Sequence, residues 1–337
     1  MRGEFELIDL LRERIAAAGA GTSPRLLVGS GDDAAVTAVG TATSVDAIVD
    51  GVHFRRRTFA PRAIGAKALA AAASDLAAMG AEPGEAYVQL GMPDDLSEDE
   101  VIGIADGLGE AAAGAGLAIA GGDVTASPVL FLCLTVVGYA GDPAQLVTRA
   151  GAQPDDALIV TGALGGAAAG LLLLERPELA DEIDVDVAGA LRARQFEPPI
   201  RLAAGAALAR AGAHAMIDLS DGLAGDAAHL AAAGSVRIEI EAAAVPAQAG
   251  VGDVARIAGE DPELLVVAGG EDYELLAAVP PAAVEAALGA LRKIGLDPAL
   301  VGGAEAGEGV VLRGSKGREL NVRGYDQVRS RVLAEPT

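Results

Sequence analysis

The sequence predicts a two-domain protein of mixed α and β structure, of the α/β or α+β class. The chain has 337 residues, about twice the size of a typical domain. Apolar runs rich in β-branched residues alternate with alanine-rich segments of helical spacing, which indicates sheets covered by helices. Loop signals at Gly141–Pro143 and Gly151–Pro154 place a boundary between residues 140 and 155. We therefore assign residues 1–145 to a first domain and residues 146–337 to a second.

The predicted elements alternate along the chain. Apolar residues at helical spacing, Phe5, Ile8, Leu11 and Ile15, predict an opening amphipathic helix. Strands are predicted at Thr41–Val45, Ala86–Leu90, Val129–Val137, Leu158–Val160, Val236–Ile240 and Glu274–Val279. Further helices are predicted at Pro61–Met79, Glu98–Ala115, Pro199–Ala211 and Pro281–Ile294. Glycine-containing stretches at Gly19–Pro24 and Gly302–Gly309 predict surface loops.

The charge balance argues against two classes of partner. The chain carries 25 lysines and arginines against 48 aspartates and glutamates, a formal net charge of −23. A protein this acidic lacks the basic surface of a nucleic-acid binder, and anionic lipid would repel it. We therefore expect no nucleic-acid partner and no membrane association, and an anionic substrate would need cations as counter-charge.

We expect a protein of the reducing cytoplasm. Glu4, Glu6 and Asp9 interrupt the region where a signal peptide would be apolar. The uncharged stretch 157–174 is barely long enough to cross a bilayer and is weakly hydrophobic, so we interpret it as a strand, a glycine turn and a packed helix. The single cysteine, Cys133, lies in an apolar run and is predicted to be a buried structural thiol.

Several carboxylates lie in short apolar or glycine-flanked settings. These settings are Gly31–Ala34, Ser44–Asp46, Ser74–Leu76, Gly121–Asp123, Ile217–Gly222 and Gly269–Tyr273. Desolvated carboxylates cost stability unless they are paired or bind metal, and cationic side chains are scarce here. Oxygen ligands suit Mg²⁺, whereas the three histidines show no zinc-ligand spacing. Glycines beside the carboxylates would also let backbone amides approach a phosphate.

Eight motifs in order resemble the thiamine-monophosphate kinase family. They are Gly3–Phe5, Gly31–Ala35, Asp46 with Gly51–Phe54, Ser74–Ala81, Gly121–Asp123, Thr148–Gly151, Ile217–Leu223 and Gly269–Glu274. The resemblance extends to Gly324–Asp326 and covers nearly the whole chain. It implies the two-domain fold of the superfamily like aminoimidazole ribonucleotide synthetase, with N-terminal sheets that pair in a homodimer.

The resemblance also implies an activity and a set of site residues. The activity is phosphorylation of thiamine phosphate by ATP to thiamine diphosphate, with several Mg²⁺ ions. The implied metal ligands are Asp33, Ser44, Val45 through its carbonyl, Asp46, Asp75, Asp123, Asp218 and Asp221. The implied nucleotide contacts are Gly122, Asp123, Arg149 and Ser220, and the implied substrate contacts are His53 and Glu271. Near the C-terminus some relatives carry an aromatic residue where this chain reads Asn321–Arg323, and we expect Tyr325 to make that ring contact instead.

The implied phosphoryl transfer depends more on positioning and charge stabilisation than on covalent chemistry by the protein. The chain has no P-loop motif and no protein-kinase motif set, so phosphate binding must use metals, glycine amides and a few arginines. The acceptor phosphate oxygen is already ionised, so we predict direct in-line transfer with no covalent nucleophile. Arg55–Arg57 is predicted to be a solvated loop, and Lys67 a side chain whose ammonium reaches water.

Two other readings remain open. The chain could be another ATP-dependent member of the superfamily, such as one like aminoimidazole ribonucleotide synthetase, although Ser74–Ala81 and Gly269–Glu274 fit the thiamine enzymes better. Selenophosphate-synthetase and hydrogenase-maturation relatives use reactive cysteines near a terminus, whereas the one cysteine here is Cys133. A non-catalytic divalent-ion binding protein is the alternative from a different class, and a dispersed acidic surface would favour it.

Overall fold

A computed structural model describes residues 4–18, 20, 23–315 and 318–320. Its strands are β1 (Leu26–Val28), β2 (Ala35–Thr37), β3 (Thr41–Val49), β4 (Glu82–Met92), β5 (Ala118–Ala126), β6 (Phe131–Tyr139), β7 (Ala157–Val160), β8 (Ala215–Asp218), β9 (Val236–Glu241), β10 (Leu275–Val279), β11 (Ala299–Ala306), β12 (Gly309–Arg313) and β13 (Glu319–Leu320). Its α-helices are α1 (Glu4–Ala17), α2 (Pro61–Ala78), α3 (Glu98–Ala115), α4 (Gly166–Glu175), α5 (Val185–Phe196), α6 (Leu202–Ala211), α7 (Leu223–Gly234), α8 (Val251–Ala258), α9 (Pro262–Ala268) and α10 (Val284–Lys293).

The first six strands form one mixed sheet in the order β1-β2-β3-β6-β4-β5. Its pairs are antiparallel except for β4 and β5, which run parallel. Helix α2 packs against β3 and β6, so alternate residues of β6 are buried while the others are mostly half-buried. All nine residues of the edge strand β5 are exposed. Within the described residues, much of the second face of this sheet and its β5 edge therefore face solvent.

Helix α2 is buried along most of its length and connects the two halves of the molecule. It packs against α3, β3 and β6 of the first half and against α5, α6 and β8 of the second. Pro61 begins the helix, at a position where its missing N–H is not needed. A Cβ atom on Gly205 of α6 would overlap the carbonyl oxygen of Ala77, so only glycine permits this close contact between α6 and α2.

The remaining strands form a second sheet in the order β13-β12-β9-β11-β7-β10-β8. Strands β8 and β10 are buried along their whole length. The loop after β8 carries Ser220 and Asp221, and the loop before β10 carries Glu271. The amide of Glu271 donates to the carbonyl of Ser220 at 2.8 Å, and the amide of Tyr273 donates to the carbonyl of Leu219 at 2.9 Å. Backbone hydrogen bonds thus hold the two loops side by side.

The architecture confirms the prediction of a mixed, two-domain α and β fold, with local corrections. The loop predicted at Gly302–Gly309 is wrong over its first part, because residues up to Ala306 belong to β11. The helix predicted from Pro199 begins at Leu202. Strand β5 was not among the predicted strands, because its glycines and Asp123 interrupt the apolar pattern that predicts a strand. The exact boundary between residues 145 and 146 stays a prediction.

Two further sequence expectations concern burial. Cys133 is half-buried rather than buried, because it lies on the face of β6 that α2 does not cover. The stretch 157–174 forms β7, a glycine turn and most of α4, as interpreted. Among the helices that the structure describes, none combines the length and the apolar character that a bilayer crossing requires.

Candidate functional site

Three aspartates from distant parts of the chain meet between the two halves of the molecule. Asp33 precedes β2, Asp75 lies on α2 and Asp218 ends β8. One carboxylate oxygen from each lies within 4.8 Å of the others. Asp33 and Asp218 are buried, and Asp75 is half-buried. We call this group the aspartate trio; its oxygen atoms are close enough to share one divalent cation.

Two serine hydroxyls orient the trio. Ser44 on β3 donates to Oδ2 of Asp75, and Ser74 on α2 donates to Oδ2 of Asp218. The second hydrogen bond links the helix of the first half directly to a strand of the second half. Because both hydroxyls are buried, they restrict the rotation of the two carboxylates and favour one arrangement of the trio.

The electrostatic environment of the trio favours a bound cation. Burial raises the pKa of Asp33 to about 7, although the neighbouring guanidinium of Arg149 acts in the opposite direction. Burial and the adjacent Asp218 carboxylate raise the pKa of Asp75 well above its usual value. The Oδ2 atom of Asp33 is buried and has no hydrogen-bond partner among the described residues. An oxygen-only donor set with an unsatisfied buried oxygen fits a hard divalent cation.

Arg149 is the cation that contacts the trio. Its guanidinium pairs with Oδ1 of Asp33, and its backbone amide donates to both carboxylate oxygens of Asp32 at 3.3 and 3.2 Å. Arg149 begins a short 3₁₀ helix, so Asp32 anchors the backbone while Asp33 binds the side chain. This pairing places Arg149 beside the trio, where a guanidinium can also contact a phosphate that binds there.

A cleft opens in front of the trio. We call it the acidic cleft; its volume is about 200 Å³, and it is lined by Val45, Asp46, Ile48, His53, Ala71, Asp75, Asp218, Ser220, Asp221, Glu271 and Tyr273. Eight of the predicted site residues therefore face one cavity. Its volume is several times the roughly 30 Å³ that one water molecule occupies in the liquid, so phosphate groups and cations have room.

A second, smaller pocket adjoins the acidic cleft. We call it the side pocket; it is lined by Val52, His53, Phe54, Arg55, Arg57, Thr58, Phe59, Leu171, Leu174, Glu175 and Glu271. His53 and Glu271 line both cavities and mark their junction. The backbone amide of Val49 donates to Nδ1 of His53 at 3.1 Å, which orients the imidazole. The side pocket combines aromatic and aliphatic walls with arginines, as a ring-bearing anionic ligand requires.

Not every predicted site residue reaches the cleft within one chain. Gly122 and Asp123 lie on β5, and the register aligns Gly122 with Val88, Leu134 and Asp46 across the sheet. Three strand spacings of about 4.8 Å thus separate β5 from the strand of Asp46, roughly 14 Å in all. Asp123 is exposed there. Tyr325 lies outside the described residues.

The structure adds residues that the sequence reasoning did not select. Lys67 was expected to reach water, which is wrong: its side chain is 0% exposed and its Nζ lies 2.7 Å from Oε1 of Glu271. Gln195 and Asp226 also touch predicted site residues, through Glu271 and the amide of Asp221. A signal for Lys67 was its spacing, because it lies two turns before the adjacent Ser74 and Asp75 on the same side of one helix.

Comparison with known proteins matches both halves of the chain to one family. Residues 31–140 match the family of the AIR synthase related protein, N-terminal domain. Residues 153–315 match the AIR synthase related protein, C-terminal domain. The two matched segments include every predicted site residue except Arg149, which lies between them, and Tyr325.

Curated relatives and solved structures agree with this match. A thiamine-monophosphate kinase of Mycobacterium tuberculosis is 37% identical over 280 residues, which cover 82% of this chain and 80% of that protein. A thiamine-monophosphate kinase of Escherichia coli K12 is 34% identical over 333 residues, which cover 96% and 98%. The structure described as AaThiL complexed with AMPPCP and TMP superposes with a TM-score of 0.82 at 30% identity, over 97% of this chain and 98% of that chain.

Proposed function

This chain belongs to the thiamine-monophosphate kinase family of AIR synthase related proteins, and we propose the acidic cleft as the place of its reaction. The chain is an ATP-dependent kinase that phosphorylates thiamine phosphate to thiamine diphosphate. The observation that supports the location is the aspartate trio, two of whose members line the acidic cleft. A polyanion can bind there only with cationic counter-charge.

We assign the two substrates to the two adjoining cavities. The relative that binds AMPPCP, an ATP analogue, and TMP supports ATP as the co-substrate. The side pocket offers Phe54, Phe59 and Leu171 to the rings of thiamine phosphate. His53 and Glu271, at the junction, are placed to contact the substrate where its phosphate meets the acidic cleft. Arg55 and Arg57 line the same pocket and carry charge that favours an anion.

We propose Mg²⁺ as the counter-charge. Asp33, Asp75 and Asp218 would hold it, with Ser44, the carbonyl of Val45, Asp46 and Asp221 as further oxygen donors around the acidic cleft. When bound, Mg²⁺ would neutralise phosphate charge and align the transferring group. The two serines hold Asp75 and Asp218 in place, and Asp32 anchors Arg149 beside Asp33, so the chain contributes a preformed set of oxygen atoms.

We propose that the phosphate passes directly to the acceptor. A covalent relay needs an activated nucleophile beside a base. Cys133 on β6 lines neither cavity, and His214 is paired with the buried Asp156 through Nδ1 at 2.9 Å. The acceptor oxygen of thiamine phosphate is already anionic, so in-line attack requires alignment rather than a base.

One assay tests the reaction and its direct course together. Purified protein receives γ-labelled ATP and Mg²⁺, with and without thiamine phosphate, and products are separated after a quench. We expect the label in thiamine diphosphate only when the acceptor is present, none on the protein, and no turnover in excess EDTA. A stoichiometric protein-bound label that chases into thiamine diphosphate would overturn direct transfer. Absence of thiamine diphosphate in every mixture would overturn the proposed reaction itself.

We further propose that two copies pair through their N-terminal sheets. Strand β5 is nine residues long, exposed throughout and bears the exposed apolar residues Ile119 and Val124, at 42% and 63%. Natural sheets rarely leave such an edge uncovered. Val45, Tyr87 and Tyr139 add exposed apolar area on the same sheet. A partner sheet would cover this surface, and it would give Gly122 and Asp123 a route to a partner's acidic cleft that they lack within one chain.

Sedimentation measures this pairing. We expect the wild type to sediment near twice 33.4 kDa at micromolar concentration. Val124→Glu places a charge on the proposed interface, so we expect dissociation and loss of activity together. The matched control is Val185→Glu, an exposed valine at 79% in the second half of the chain, which should stay dimeric and active. A wild type that is monomeric at micromolar concentration while fully active contradicts the pairing.

We also propose that the protein is located in the cytoplasm. The net charge of −23 and the single cysteine fit a reducing cytoplasm, where both substrates of the proposed reaction are expected as small soluble anions.

A further inference from the structure

Lys67 is an ammonium group enclosed by protein. Its side chain is 0% exposed, and its Nζ contacts Oε1 of Glu271 at 2.7 Å, Oε1 of Gln195 and the ring of Phe59 at 5.4 Å from the centroid. A buried charge is tolerated only when it is paired and hydrogen-bonded, because desolvation is costly. Both requirements are met here by residues of the opposite half of the molecule, since Lys67 lies on α2 and Gln195 on α5.

Glu271 is held at both of its carboxylate oxygens. Lys67 binds Oε1, and Nε2 of Gln195 donates to Oε2 at 2.7 Å. Gln195 is itself fixed, because it is buried and its Nε2 also lies 3.3 Å from the carbonyl of Ala167. The Glu271 side chain keeps 24% of its surface exposed at the junction of the two cavities. Its remaining lone pairs are therefore available to a ligand in one defined orientation.

The backbone of Glu271 supports the same conclusion. Its φ angle is +66°, a left-handed conformation that non-glycine residues seldom adopt. The hydrogen bond from its amide to the carbonyl of Ser220 holds it there. Conformations of this kind cost free energy and persist where surrounding contacts require one side-chain direction. Lys67 and Gln195 provide those contacts at the tip of the side chain.

One face of α2 supports both reacting regions. Lys67 lies two turns before the adjacent residues Ser74 and Asp75 on this helix, a spacing that puts it on the same side as they are. Ser74 and Asp75 belong to the aspartate trio and its supports, whereas Lys67 reaches Glu271 at the side pocket. A single rigid helix thus sets the distance between the cation-binding end of the site and the substrate-binding end.

We propose that Lys67 is a positioning residue for thiamine phosphate: together with Gln195 it holds the Glu271 carboxylate in the orientation that contacts this substrate. The inference rests on the proposed function. Lys67 does not touch the substrate, since its ammonium is enclosed by Glu271, Gln195 and Phe59. Its charge also offsets that of Glu271, which reduces repulsion toward the phosphate of the ligand.

The test separates the two substrates kinetically. Lys67→Met removes the ammonium and keeps an unbranched apolar side chain as long as the lysine stem. We expect the KM for thiamine phosphate to rise about tenfold, as for the loss of one charged hydrogen bond. The KM for ATP should stay within about twofold, because the aspartate trio is untouched. In a Glu271→Gln background, Lys67→Met should have almost no further effect on the KM for thiamine phosphate, since coupled residues are not additive.

Two companion variants keep the outcome clear. Gln195→Met removes the other support of Glu271 and should raise the KM for thiamine phosphate in the same selective way, even if Lys67→Met folds poorly. Lys293→Met makes the same chemical change at an exposed lysine of α10 and should leave both KM values unchanged. Equal increases for both substrates, full additivity with Glu271→Gln, or a lowered Tm with both KM values intact would overturn the positioning role. A wild type that makes no thiamine diphosphate would instead refute the proposed function.

Discussion

Replacing Asp75 by asparagine is expected to lower kcat by roughly two to three orders of magnitude, because losing this proposed cation ligand would remove several kcal/mol of transition-state charge stabilisation. Asp75 lines the acidic cleft and accepts a hydrogen bond from the hydroxyl of Ser44 on β3. The amide has the same shape and still accepts the Ser44 hydroxyl, so the packing of α2 should persist. Steady-state kinetics with saturating ATP, thiamine phosphate and Mg²⁺ measure the effect.

The stability of the same variant provides an internal control. In the wild type without divalent ions, Asp75 lies against Asp33 and Asp218, and this repulsion contributes to its raised pKa. Neutralising it should leave the free energy of unfolding equal or higher in EDTA, while the stabilisation by added Mg²⁺ shrinks. Asp94→Asn, at an exposed aspartate outside both cavities, should change neither quantity. Normal turnover in a folded Asp75→Asn protein would remove this residue from the site.

Replacing Glu274 by glutamine is expected to destabilise the fold by about 3 kcal/mol, the cost of leaving partly buried arginine charges without their counter-ion. Glu274 is 1% exposed and lies immediately before β10. Its carboxylate accepts from Nε and Nη2 of Arg201 at 2.7 and 2.6 Å, from Arg194 at 3.1 Å and from the hydroxyl of Thr161 at 2.7 Å. Urea denaturation at constant pH measures the loss.

The pH dependence of this loss identifies its cause. Burial pushes the pKa of Glu274 upward, but hydrogen bonds and attraction from Arg201, with the charge of Arg194, leave it below 4.5. A carboxyl group with a lowered folded-state pKa contributes its stability above the unfolded value and loses it as the pH falls through the folded one. The difference between wild type and Glu274→Gln should therefore be constant above about pH 5 and narrow below it. Glu308→Gln, in an exposed turn, should show no difference at any pH; an equal effect at both positions would refute the buried network as the cause.

Much of the candidate site could be predicted because its candidate residues lie in short sequence motifs. The motifs place glycine, serine or an apolar strand near several carboxylates, among them Asp33, Asp46, Asp218 and Asp221. A carboxylate in such a setting is partly removed from water, so its charge is expected to need a partner. The alternation of apolar runs with alanine-rich segments likewise predicted the mixed sheets and most helices. Strand β5 was not predicted because its glycines and exposed residues carry no alternation of apolar and polar side chains, and all nine of its residues are exposed.

By itself the sequence determined the fold class, the candidate oxygen donors and the family, because these depend on local residue type, spacing and ordered motifs. Only the tertiary structure decided which donors meet: Asp33, Asp75 and Asp218 are separated by long stretches of chain, and their approach depends on how α2 packs between the two sheets. The tertiary structure also decided the environment of Lys67. Its position on the helix is the same whether its ammonium reaches water or pairs with Glu271. Burial is a property of what packs against a residue, and that partner comes from a part of the chain that no local pattern identifies.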